Sequence, residues 1–413
     1  MMHWVSQKTW LMLSVSLLEV AVVLAAASLA LYGPMMGLFW GAIVKRRKQA
    51  AGAQRAQPSA LRVSILKPLA GCDDDLAANL ESFARIEYPS FEVLLGVADA
   101  GDPAFAVARH FLARHPHVDG RVVVTNPRAA INPKVAQLID LERVATGQVC
   151  VISDSNVRVS PTYLASLVGE LEDPRVGLVT SLFAGTGEQT LGAALENLQI
   201  CASTAPGIAA VEAVTGRPLT VGKSMAVRRS DLERLGGFAS VGHVLAEDYV
   251  LGRIFRKAGL KARLSFDIVE NRNTGCSVFR TLERHTRWAK MRRSLFPLGF
   301  AIEPMLSPVF VTTVGLLIAP SRTTALLLAI ASVIQTLGAF VSAALLRRHW
   351  FAWWYVPLEI IRSYVAVFCW LRAWASRRIA WRGHPFLLQR GSAIVSLSAR
   401  DPDPSSGRAG FAA

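Results

Sequence analysis

The chain has 413 residues, of which 52% are hydrophobic, with a mean hydropathy of +0.34, a formal net charge of +15 and a pI near 10.2. This composition is too apolar for an ordinary soluble enzyme and predicts a membrane protein that carries one soluble domain. Much of the positive charge adjoins apolar segments, where Lys and Arg meet anionic lipid head groups, and no nucleic-acid-binding motif accompanies it. We therefore expect no nucleic-acid partner.

The first apolar segment covers residues 11–31 and contains a single charged residue, Glu19. It is long enough for the roughly 20 residues that cross the hydrocarbon core of a bilayer. A basic run, Lys-Arg-Arg-Lys, follows at 45–48. Because basic residues gather on the cytoplasmic side, we predict an N-terminal transmembrane segment within 1–44, a basic linker at 45–60 and a following domain in the cytosol. A cleaved signal peptide is disfavoured, since the positive charge lies after the apolar run.

Residues 61–294 alternate between strand-like and helix-like patterns. The strand-like runs cover 62–69, 91–97, 121–125 and 148–153, and helix-like runs at 76–85, 103–115 and 133–144 separate them. This βαβ rhythm predicts one α/β domain with a mostly parallel sheet. Neither G-x-G-x-x-G nor a P-loop motif occurs, which disfavours dinucleotide and P-loop nucleotide binding.

Three aspartates in this domain stand where a carboxylate can take part in chemistry. Asp99 and Asp154 each follow an apolar strand-like run, and Asp248 opens an apolar helix. In open α/β sheets, ligands bind at the carboxyl ends of the strands. The three acids are therefore predicted to share one site.

An Arg-His-Thr-Arg-Trp cluster, residues 284–288, ends the predicted domain. On a helix, Arg284 and Arg287 are three residues apart and share one face. Guanidinium groups bind phosphate oxygens in a bidentate manner, and Trp288 offers a flat face to a sugar or a base. Following three aspartates and preceding apolar segments, this cluster indicates nucleotide-sugar chemistry at a membrane.

Residues 295–375 are predicted to hold two or three membrane helices, in the apolar segments 295–319, 323–346 and 350–374. Three prolines interrupt the first of these segments. Glu359 and Arg362 lie inside the third, where they can share one helix face. We expect the third segment to be re-entrant or interfacial, with two full crossings and the C-terminus inside, while three crossings and an outside C-terminus remain an alternative. Residues 376–413 are expected to form a cytosolic basic segment and a disordered tail.

Together these features resemble a GT-A glycosyltransferase, and most closely the ceramide glucosyltransferase family. The resemblance covers about 62–297, with a weaker similarity at Trp381-Arg382-Gly383. It is carried by six motifs in order: Leu66-Lys67-Pro68-Leu69, Asp99 with Asp102-Pro103-Ala104, Ile131-Asn132-Pro133-Lys134, Asp154-Ser155 with Arg158-Val159, Ala246-Glu247-Asp248-Tyr249, and Arg284 to Trp288.

The resemblance implies a role for each aspartate. Asp99 would bind the uracil or ribose of the donor, and Asp154 would hold Mg²⁺ or Mn²⁺ against the diphosphate. Asp248 would be the general base that deprotonates the acceptor hydroxyl, with inversion at the anomeric carbon. Asn156 stands where a complete D-x-D motif has its second acid, and it can offer an uncharged oxygen to the cation. Glu247 would support the base.

The remaining implied roles concern the phosphates and the acceptor. Arg284, Arg287 and Trp288 match the family's (Gln/Arg)-x-x-Arg-Trp motif, and Lys134 is a further candidate on the phosphate side. Two segments depart from the animal type of this family: Ala205 stands in place of a His, and Gly222-Lys223-Ser224 replaces a Gly-Met-Ser segment.

The function predicted from the sequence is transfer of a hexose, glucose before others, from a UDP-sugar to the hydroxyl of a ceramide-like membrane lipid. The reaction would take place at the cytosolic face of a bacterial inner membrane. The alternative is a hopanoid or other lipid N-acetylglucosaminyl- or galactosyltransferase with the same chemistry. A non-catalytic nucleotide-sugar-binding membrane scaffold is the competing hypothesis from another class.

Overall fold

The computed structural model describes residues 2–52, 61–72, 74–381 and 384–397. Outside these ranges lie residues 53–60, which are the second half of the predicted linker, together with Arg382-Gly383 and the tail after residue 397. The helices of the described residues are α1 (Met2–Gly52), α2 (Leu76–Glu81), α3 (Pro103–Arg114), α4 (Pro133–Val144), α5 (Tyr163–Glu170), α6 (Leu191–Gln199), α7 (Ala205–Thr215), α8 (Arg229–Arg234), α9 (Glu247–Lys257), α10 (Val278–Leu295), α11 (Pro297–Ile302), α12 (Pro308–Ile318), α13 (Arg322–Arg347) and α14 (Tyr355–Ala375).

The strands of the described residues form two sheets. They are β1 (Val63–Pro68), β2 (Phe91–Val97), β3 (Gly120–Val124), β4 (Val149–Ser153), β5 (Val157–Arg158), β6 (Val176–Thr186), β7 (Ser224–Arg228), β8 (Lys261–Arg272), β9 (Arg378–Trp381), β10 (His384–Leu388) and β11 (Ile394–Ser396). The predicted strands and helices of the first half are confirmed, with ends that differ by one residue except at α2, which stops at Glu81 and is followed by a short 3-10 turn, Phe83–Arg85.

The larger sheet has eight strands in the order β3-β2-β1-β4-β7-β6-β8-β5. Pairs β1–β2, β1–β4, β2–β3 and β6–β8 are parallel, whereas β4–β7, β6–β7 and β5–β8 are antiparallel. The predicted α/β domain with a mostly parallel sheet is confirmed. The antiparallel pairs all involve strands after Ser153, which the sequence analysis did not identify.

The central strands are buried on both faces, because successive side chains of a strand point to opposite sides of the sheet. In β1, Val63 and Ile65 join one hydrophobic core, while Leu66 joins a second core on the other face. In β4, Val151 and Ile152 divide in the same way. These strands are thus packed between two hydrophobic cores, and a ligand can reach them at their carboxyl ends.

Two helices begin where the sequence supplies their caps. The side chain of Asn132 accepts hydrogen bonds from the backbone N–H groups of Lys134 and Val135, and Pro133 occupies the first helical position of α4. Asp102 caps α3 in the same way, again before a proline. A side-chain acceptor at the cap satisfies an N–H that has no partner inside the helix, and proline is favoured directly after it. These caps fix where α4 places Lys134.

Two helices of the described residues are long and apolar enough to cross a membrane, at residues 16–48 and in α13. The α11 and α12 region forms a pair bent by 76°, which is a broken span or a re-entrant loop. The prediction of N- and C-terminal membrane helices is confirmed. The bend falls in the first C-terminal segment, where the prolines are, and the third segment is the continuous helix α14.

The charged pair inside α14 faces the protein interior. The guanidinium of Arg362 lies 2.6 Å from the Glu359 carboxylate, and the Glu359 side chain is 0% exposed. Gln335 of α13 donates to the same carboxylate, and Arg362 also donates to Gln199 at the end of α6. The predicted i,i+3 pair therefore shares one face, and that face ties α14 to α13 and to the α/β domain.

Ion pairs also connect the membrane helices to the domain. Arg347, at the end of α13, lies 2.7 Å from Glu188, and both side chains are nearly buried. Arg46 of α1 pairs with Glu170 of α5 at 3.4 Å. The domain therefore rests directly on the membrane helices.

Strands β9, β10 and β11 form a small antiparallel sheet, in the order β11-β10-β9. The sequence pattern of this part of the chain predicts no strand. Its core is apolar, with Ile379, Phe386 and Ile394 packed against Leu245, just before α9. The C-terminal segment is thus joined to the element that carries Asp248.

Candidate active site

The site lies at the carboxyl ends of the parallel strands β2, β1 and β4. Asp154 follows β4 directly, and its backbone N–H donates to the carbonyl of Lys223, which precedes β7. Because β4 and β7 are antiparallel, the start of β7 lies beside the end of β4. A loop from the second half of the domain, Gly222-Lys223, is thereby brought to the strand ends that the first half supplies.

Asp248 reaches the same place from the first turn of α9. The backbone N–H of Gly222 donates to Asp248 Oδ2 at 2.6 Å, and the N–H of Tyr249 donates to Oδ1 at 2.7 Å. A Cβ added at Gly222 would lie 3.2 Å from Asp248 Oδ2 and 2.9 Å from Lys134 Nζ, so glycine permits this close approach. The Asp248 carboxylate is thus held by two backbone donors at the edge of the site.

Lys134 joins the acids to one another. Its Nζ lies 2.7 Å from Asp154 Oδ1 and 2.9 Å from Glu247 Oε1, and it donates to the carbonyl of Gly222 at 3.2 Å. An ammonium has three donors, so these contacts use all of them. The structure therefore brings Lys134, Asp154, Glu247 and Asp248 together; of the three aspartates predicted to share one site, Asp99 is not part of this cluster.

A second ammonium lies on the other side of Asp154. Lys223 Nζ is 3.2 Å from Asp154 Oδ2 and 3.3 Å from Asn156 Oδ1. The amide nitrogen of Asn156 donates to the carbonyl of Arg272 at 3.0 Å, which fixes the oxygen toward Lys223. The pair that was predicted to hold a cation thus binds a lysine of the chain.

A third lysine lies beneath the aspartate. The fully buried Lys67 donates to the carbonyl of Asp154 at 2.6 Å and lies 4.2 Å from the ring centre of Phe83. Burial lowers the pKa of Lys67 to about 7, although the charge of Asp154 opposes this effect. Lys67 holds the backbone of the loop and does not reach its carboxylate in the described contacts.

The pKa values of the two central aspartates are driven apart. Burial would raise the pKa of Asp154, but the charges of Lys134 and Lys223 outweigh burial and lower it to about 2. Burial raises the pKa of Asp248 well above its usual range, and the nearby charge of Glu247 adds to the increase. Asp154 is therefore a permanent anion, whereas Asp248 holds a proton more readily, as a general base must.

A divalent cation does not fit the predicted ligands as they are arranged. Mg²⁺ and Mn²⁺ require oxygen ligands that are free to coordinate them. Both oxygens of Asp154 contact ammonium groups, and the Asn156 oxygen accepts from Lys223. Among the described residues, no group of three or more His, Cys, Asp or Glu side chains is placed to hold a metal ion.

Asp99 lies at the same edge of the sheet but outside this cluster. It follows β2, is exposed, and accepts a hydrogen bond from the backbone N–H of Gly101. Two strand spacings, about 10 Å, separate the end of β2 from the end of β4. That interval leaves room for a ligand group between Asp99 and Asp154.

The Arg-x-x-Arg-Trp cluster lies on α10, as predicted, and its side chains have separate partners. Arg284 lies 2.6 Å from the buried carboxylate of Glu196 on α6. Arg287 donates to the carbonyl of Ala380 in β9, and the Trp288 ring contacts that of His285 edge-on. The structure thus places these residues between the domain and the C-terminal sheet, and no described contact joins them to Asp154.

The C-terminal sheet connects this cluster with the base. The backbone N–H of Ala246 donates to the hydroxyl of Ser392 at 2.6 Å, and the N–H of Leu245 donates to the Ser392 carbonyl. Lys290 of α10 donates to the carbonyl of Arg378. The start of α9 and the basic face of α10 are therefore both anchored on residues 378–396.

Two residues of the site, Lys67 and Lys223, were not predicted as functional residues. Both stood in segments that the sequence analysis had quoted, Leu-Lys-Pro-Leu on β1 and the Gly-Lys-Ser segment that departs from the animal type. A lysine in an otherwise fully buried strand was the available signal for Lys67. For Lys223 the signal was that two departures occur in the same chain: a lysine replaces the Met of the Gly-Met-Ser segment, and Asn156 replaces the second acid of the D-x-D motif.

Comparisons with known proteins show the family of the chain. The sequence profile described as "Glycosyl transferase family 21" matches residues 27–394. Ceramide glucosyltransferase 1 of Caenorhabditis elegans is 26% identical over 359 residues, which cover 82% of this chain and 74% of that protein. Ceramide glucosyltransferase 3 of the same organism is 27% identical over 244 residues, covering 59% of this chain and 53% of that protein.

Among solved structures, the mannosyltransferase PcManGT from Pyrobaculum calidifontis, in complex with GDP-Man and Mn²⁺, is 19% identical, with a TM-score of 0.47. The match covers 85% of this chain and 99% of that one.

Proposed function

Since the chain belongs to glycosyl transferase family 21, we propose that it transfers a hexose, glucose before others, from a UDP-sugar to the hydroxyl of a ceramide-like membrane lipid. The observation that carries the proposal is the Asp248 carboxylate, whose pKa is raised and which is held beside a cluster of lysines. A base and a binding place for a negatively charged leaving group are the two requirements of this transfer. The relatives named ceramide glucosyltransferase support the choice of acceptor.

In the proposed reaction, the acceptor hydroxyl gives its proton to Asp248 as its oxygen forms a bond to the anomeric carbon. The bond between that carbon and the diphosphate breaks, and its electron pair leaves with the nucleotide. Attack from the face opposite the nucleotide inverts the configuration. The developing charge on the diphosphate falls near Lys223, which stabilises the transition state more than the ground state.

The remaining predicted residues have the following proposed roles. Asp99 binds the uracil or the ribose, from the end of β2 at the same edge of the sheet as Asp154. Arg284, Arg287 and Trp288 act on the donor side. Lys134 has its three donors engaged by protein atoms, so we propose that it positions Asp154 and the base.

The predicted requirement for Mg²⁺ or Mn²⁺ stays a prediction. Such an ion would neutralise the diphosphate, but Asp154 and Asn156, its predicted ligands, do not offer it free oxygens as they are arranged. Because their oxygens are engaged by lysines, no step of the proposed reaction depends on it.

The proposed place of the reaction is the cytosolic face of a bacterial inner membrane. The basic run at residues 45–48, near the C-terminal end of α1, and the basic residues at 377–382 support a cytosolic domain by the positive-inside rule. Direct contacts between the domain and the membrane helices support an acceptor that reaches the site from the bilayer. The partners of the reaction are then a water-soluble UDP-sugar and a lipid.

The test measures transfer from labelled UDP-glucose, UDP-galactose and UDP-N-acetylglucosamine to ceramide and to a hopanoid in detergent. We expect glucosylceramide from the wild type and a rate reduced by about 10²- to 10⁴-fold in Asp248→Asn, the range for loss of a general base. Product with another donor or with the hopanoid would identify the alternative transferase. UDP-sugar binding without any product would favour the scaffold.

A further inference from the structure

The feature that carries this inference is the position of the Lys223 ammonium. It lies between Asp154 Oδ2, at 3.2 Å, and Asn156 Oδ1, at 3.3 Å. These are the two side chains, one residue apart, at which a D-x-D motif presents its acids to a cation. The ammonium thus occupies the place between them and carries a positive charge of its own.

The site holds Lys223 in this position from several sides. Its side chain is 17% exposed, and its backbone carbonyl accepts from the N–H of Asp154. The carbonyl of Arg272 fixes the amide of Asn156 with the oxygen turned toward the ammonium. The arrangement is therefore part of the fold of this loop and not a contact of a long side chain on the surface.

The two lysines at Asp154 differ in the number of donors that remain. Lys134 uses three donors on Asp154, Glu247 and Gly222. Lys223 uses two, and an ammonium has three. In the contacts between described residues, one N–H of Lys223 therefore remains for a phosphate oxygen.

The charge balance of the site explains why an asparagine, Asn156, can stand in place of a second acid. Asp154 with an uncharged amide offers a single negative charge, which matches one ammonium but is less than a divalent cation usually receives. Lys134 and Lys223 would also repel an arriving divalent ion from Asp154. The uncharged Asn156 and the positively charged Lys223 therefore fit each other: the site has one carboxylate fewer and one ammonium more than a complete D-x-D site would have.

We propose that Lys223 is a built-in counterion for the diphosphate, so that the chain binds its donor without a divalent metal ion. The proposal rests on the proposed function, because it assumes that a nucleoside diphosphate-sugar is the donor. To the proposed function it adds the residue that neutralises the diphosphate, Lys223, and the expectation that the donor binds without a divalent metal ion.

The experiment measures the affinity of the full-length protein in detergent for UDP, by calorimetry, in EDTA and in Mn²⁺. We expect the wild type to bind UDP in EDTA within about twofold of its affinity in Mn²⁺. Lys223→Met should lose about 10- to 100-fold in EDTA, as expected for one charge-assisted hydrogen bond, and recover part of the loss in Mn²⁺. Lys223→Arg should behave as the wild type, because it keeps the charge.

Two further variants control for the general effect of losing a lysine and for unfolding. Lys257→Met removes an exposed lysine from the far end of α9 and should leave UDP binding unchanged. Lys223→Gln is neutral but keeps a polar donor for Asp154 and Asn156, so it replaces Lys223→Met if the latter unfolds. The thermal midpoint of each variant is measured alongside.

Three outcomes would overturn the proposal. In the first, the wild type binds UDP only with Mn²⁺; transfer with Mn²⁺ would then keep the proposed function and refute the role of Lys223. In the second, the neutral variants bind UDP in EDTA as the wild type does, so Lys223 is not the counterion. In the third, the wild type binds UDP in neither condition, which refutes the donor and with it both proposals.

Discussion

Replacing Lys134 with methionine tests whether the acids of the site are held together by one ammonium. Methionine keeps much of the apolar stem and removes the charge. In the wild type, Lys134 lies 2.7 Å from Asp154 and 2.9 Å from Glu247, and all three side chains are at least three-quarters buried. The substitution leaves Asp154 with Lys223, whereas Glu247 keeps, among the described residues, a long hydrogen bond from Asn132.

The expected loss of stability follows from these contacts. Breaking a buried ion pair by removing one partner costs about 3–5 kcal/mol. The lower end applies here, because Lys223 still compensates Asp154. For a domain of this size, about 3 kcal/mol lowers Tm by roughly 6–12 °C.

The loss should also depend on pH. The pKa of Asp154 is lowered to about 2 by Lys134 and Lys223 against the effect of burial, so this pair stabilises the fold above the unfolded pKa of about 4. That contribution disappears as the pH falls from about 4 toward 2. The nearby acids raise the pKa of Lys134 against the effect of burial. Its ion pairs therefore contribute their full stability at neutral pH and lose it only in strong alkali.

The assay is thermal unfolding of the purified protein in detergent at pH 7, with Lys257→Met as the matched control. Lys257 is exposed, so its substitution should leave Tm unchanged within about 2 °C, as for most surface changes. A Lys134→Met variant as stable as this control would refute the reasoning, since it would show that the acids do not depend on Lys134.

Three other predictions concern the base, the membrane helices and the C-terminal sheet. The raised pKa of Asp248 places the acid limb of the kcat/KM profile of the wild type well above pH 4. In Lys134→Met the acid limb should move to a still higher pH, because the charge of Lys134 lowers the pKa of Asp248. An acid limb near pH 4 in the wild type would contradict this prediction. Arg362→Leu removes the positive charge beside the fully buried Glu359, which keeps the hydrogen bond from Gln335, and should lower Tm by several degrees. Arg372→Leu, at an exposed arginine of the same helix, should not. Ser392→Ala removes the hydroxyl that accepts a hydrogen bond from the N–H of Ala246, the residue before α9, and should lower kcat with little change in UDP affinity. Equal losses in both would refute a role limited to the base.

The first half of the α/β domain was predictable because its signals are local. Strands such as β1 and β4 are short apolar runs, and α3 and α4 begin at a capping residue followed by proline. The second half was missed because β7 and β8 take their places by pairing with distant strands. Propensity and periodicity carry no information about which strands pair across a hundred residues.

The C-terminal sheet shows the same limit. The segment around Arg377 and Arg378 is basic, and composition alone favours an irregular cytosolic segment. Its order comes from apolar contacts with Leu245 and from the hydrogen bonds between Ser392 and the residues before α9. Those partners lie about 150 residues earlier in the chain.

Within the site, the sequence predicted the acids but not how their charges are balanced. Asp154 and Asp248 could be placed together, since strand ends and helix starts converge at the carboxyl edge of such sheets. The lysines could not be assigned in the same way, because a lysine in a loop is usually solvated. Only the three-dimensional positions show that Lys134 has its donors filled by protein atoms and that Lys223 has one left.

This distinction decides how the two lysines should respond to substitution. Lys134 acts through the acids, so its loss should appear first in Tm and in the pH dependence of catalysis. Lys223 faces the place of the diphosphate, so its loss should appear first in UDP affinity in the absence of metal. If Lys134→Met lost UDP affinity in EDTA without any change in Tm, the assignments would have to be exchanged, and Lys134 would be the counterion.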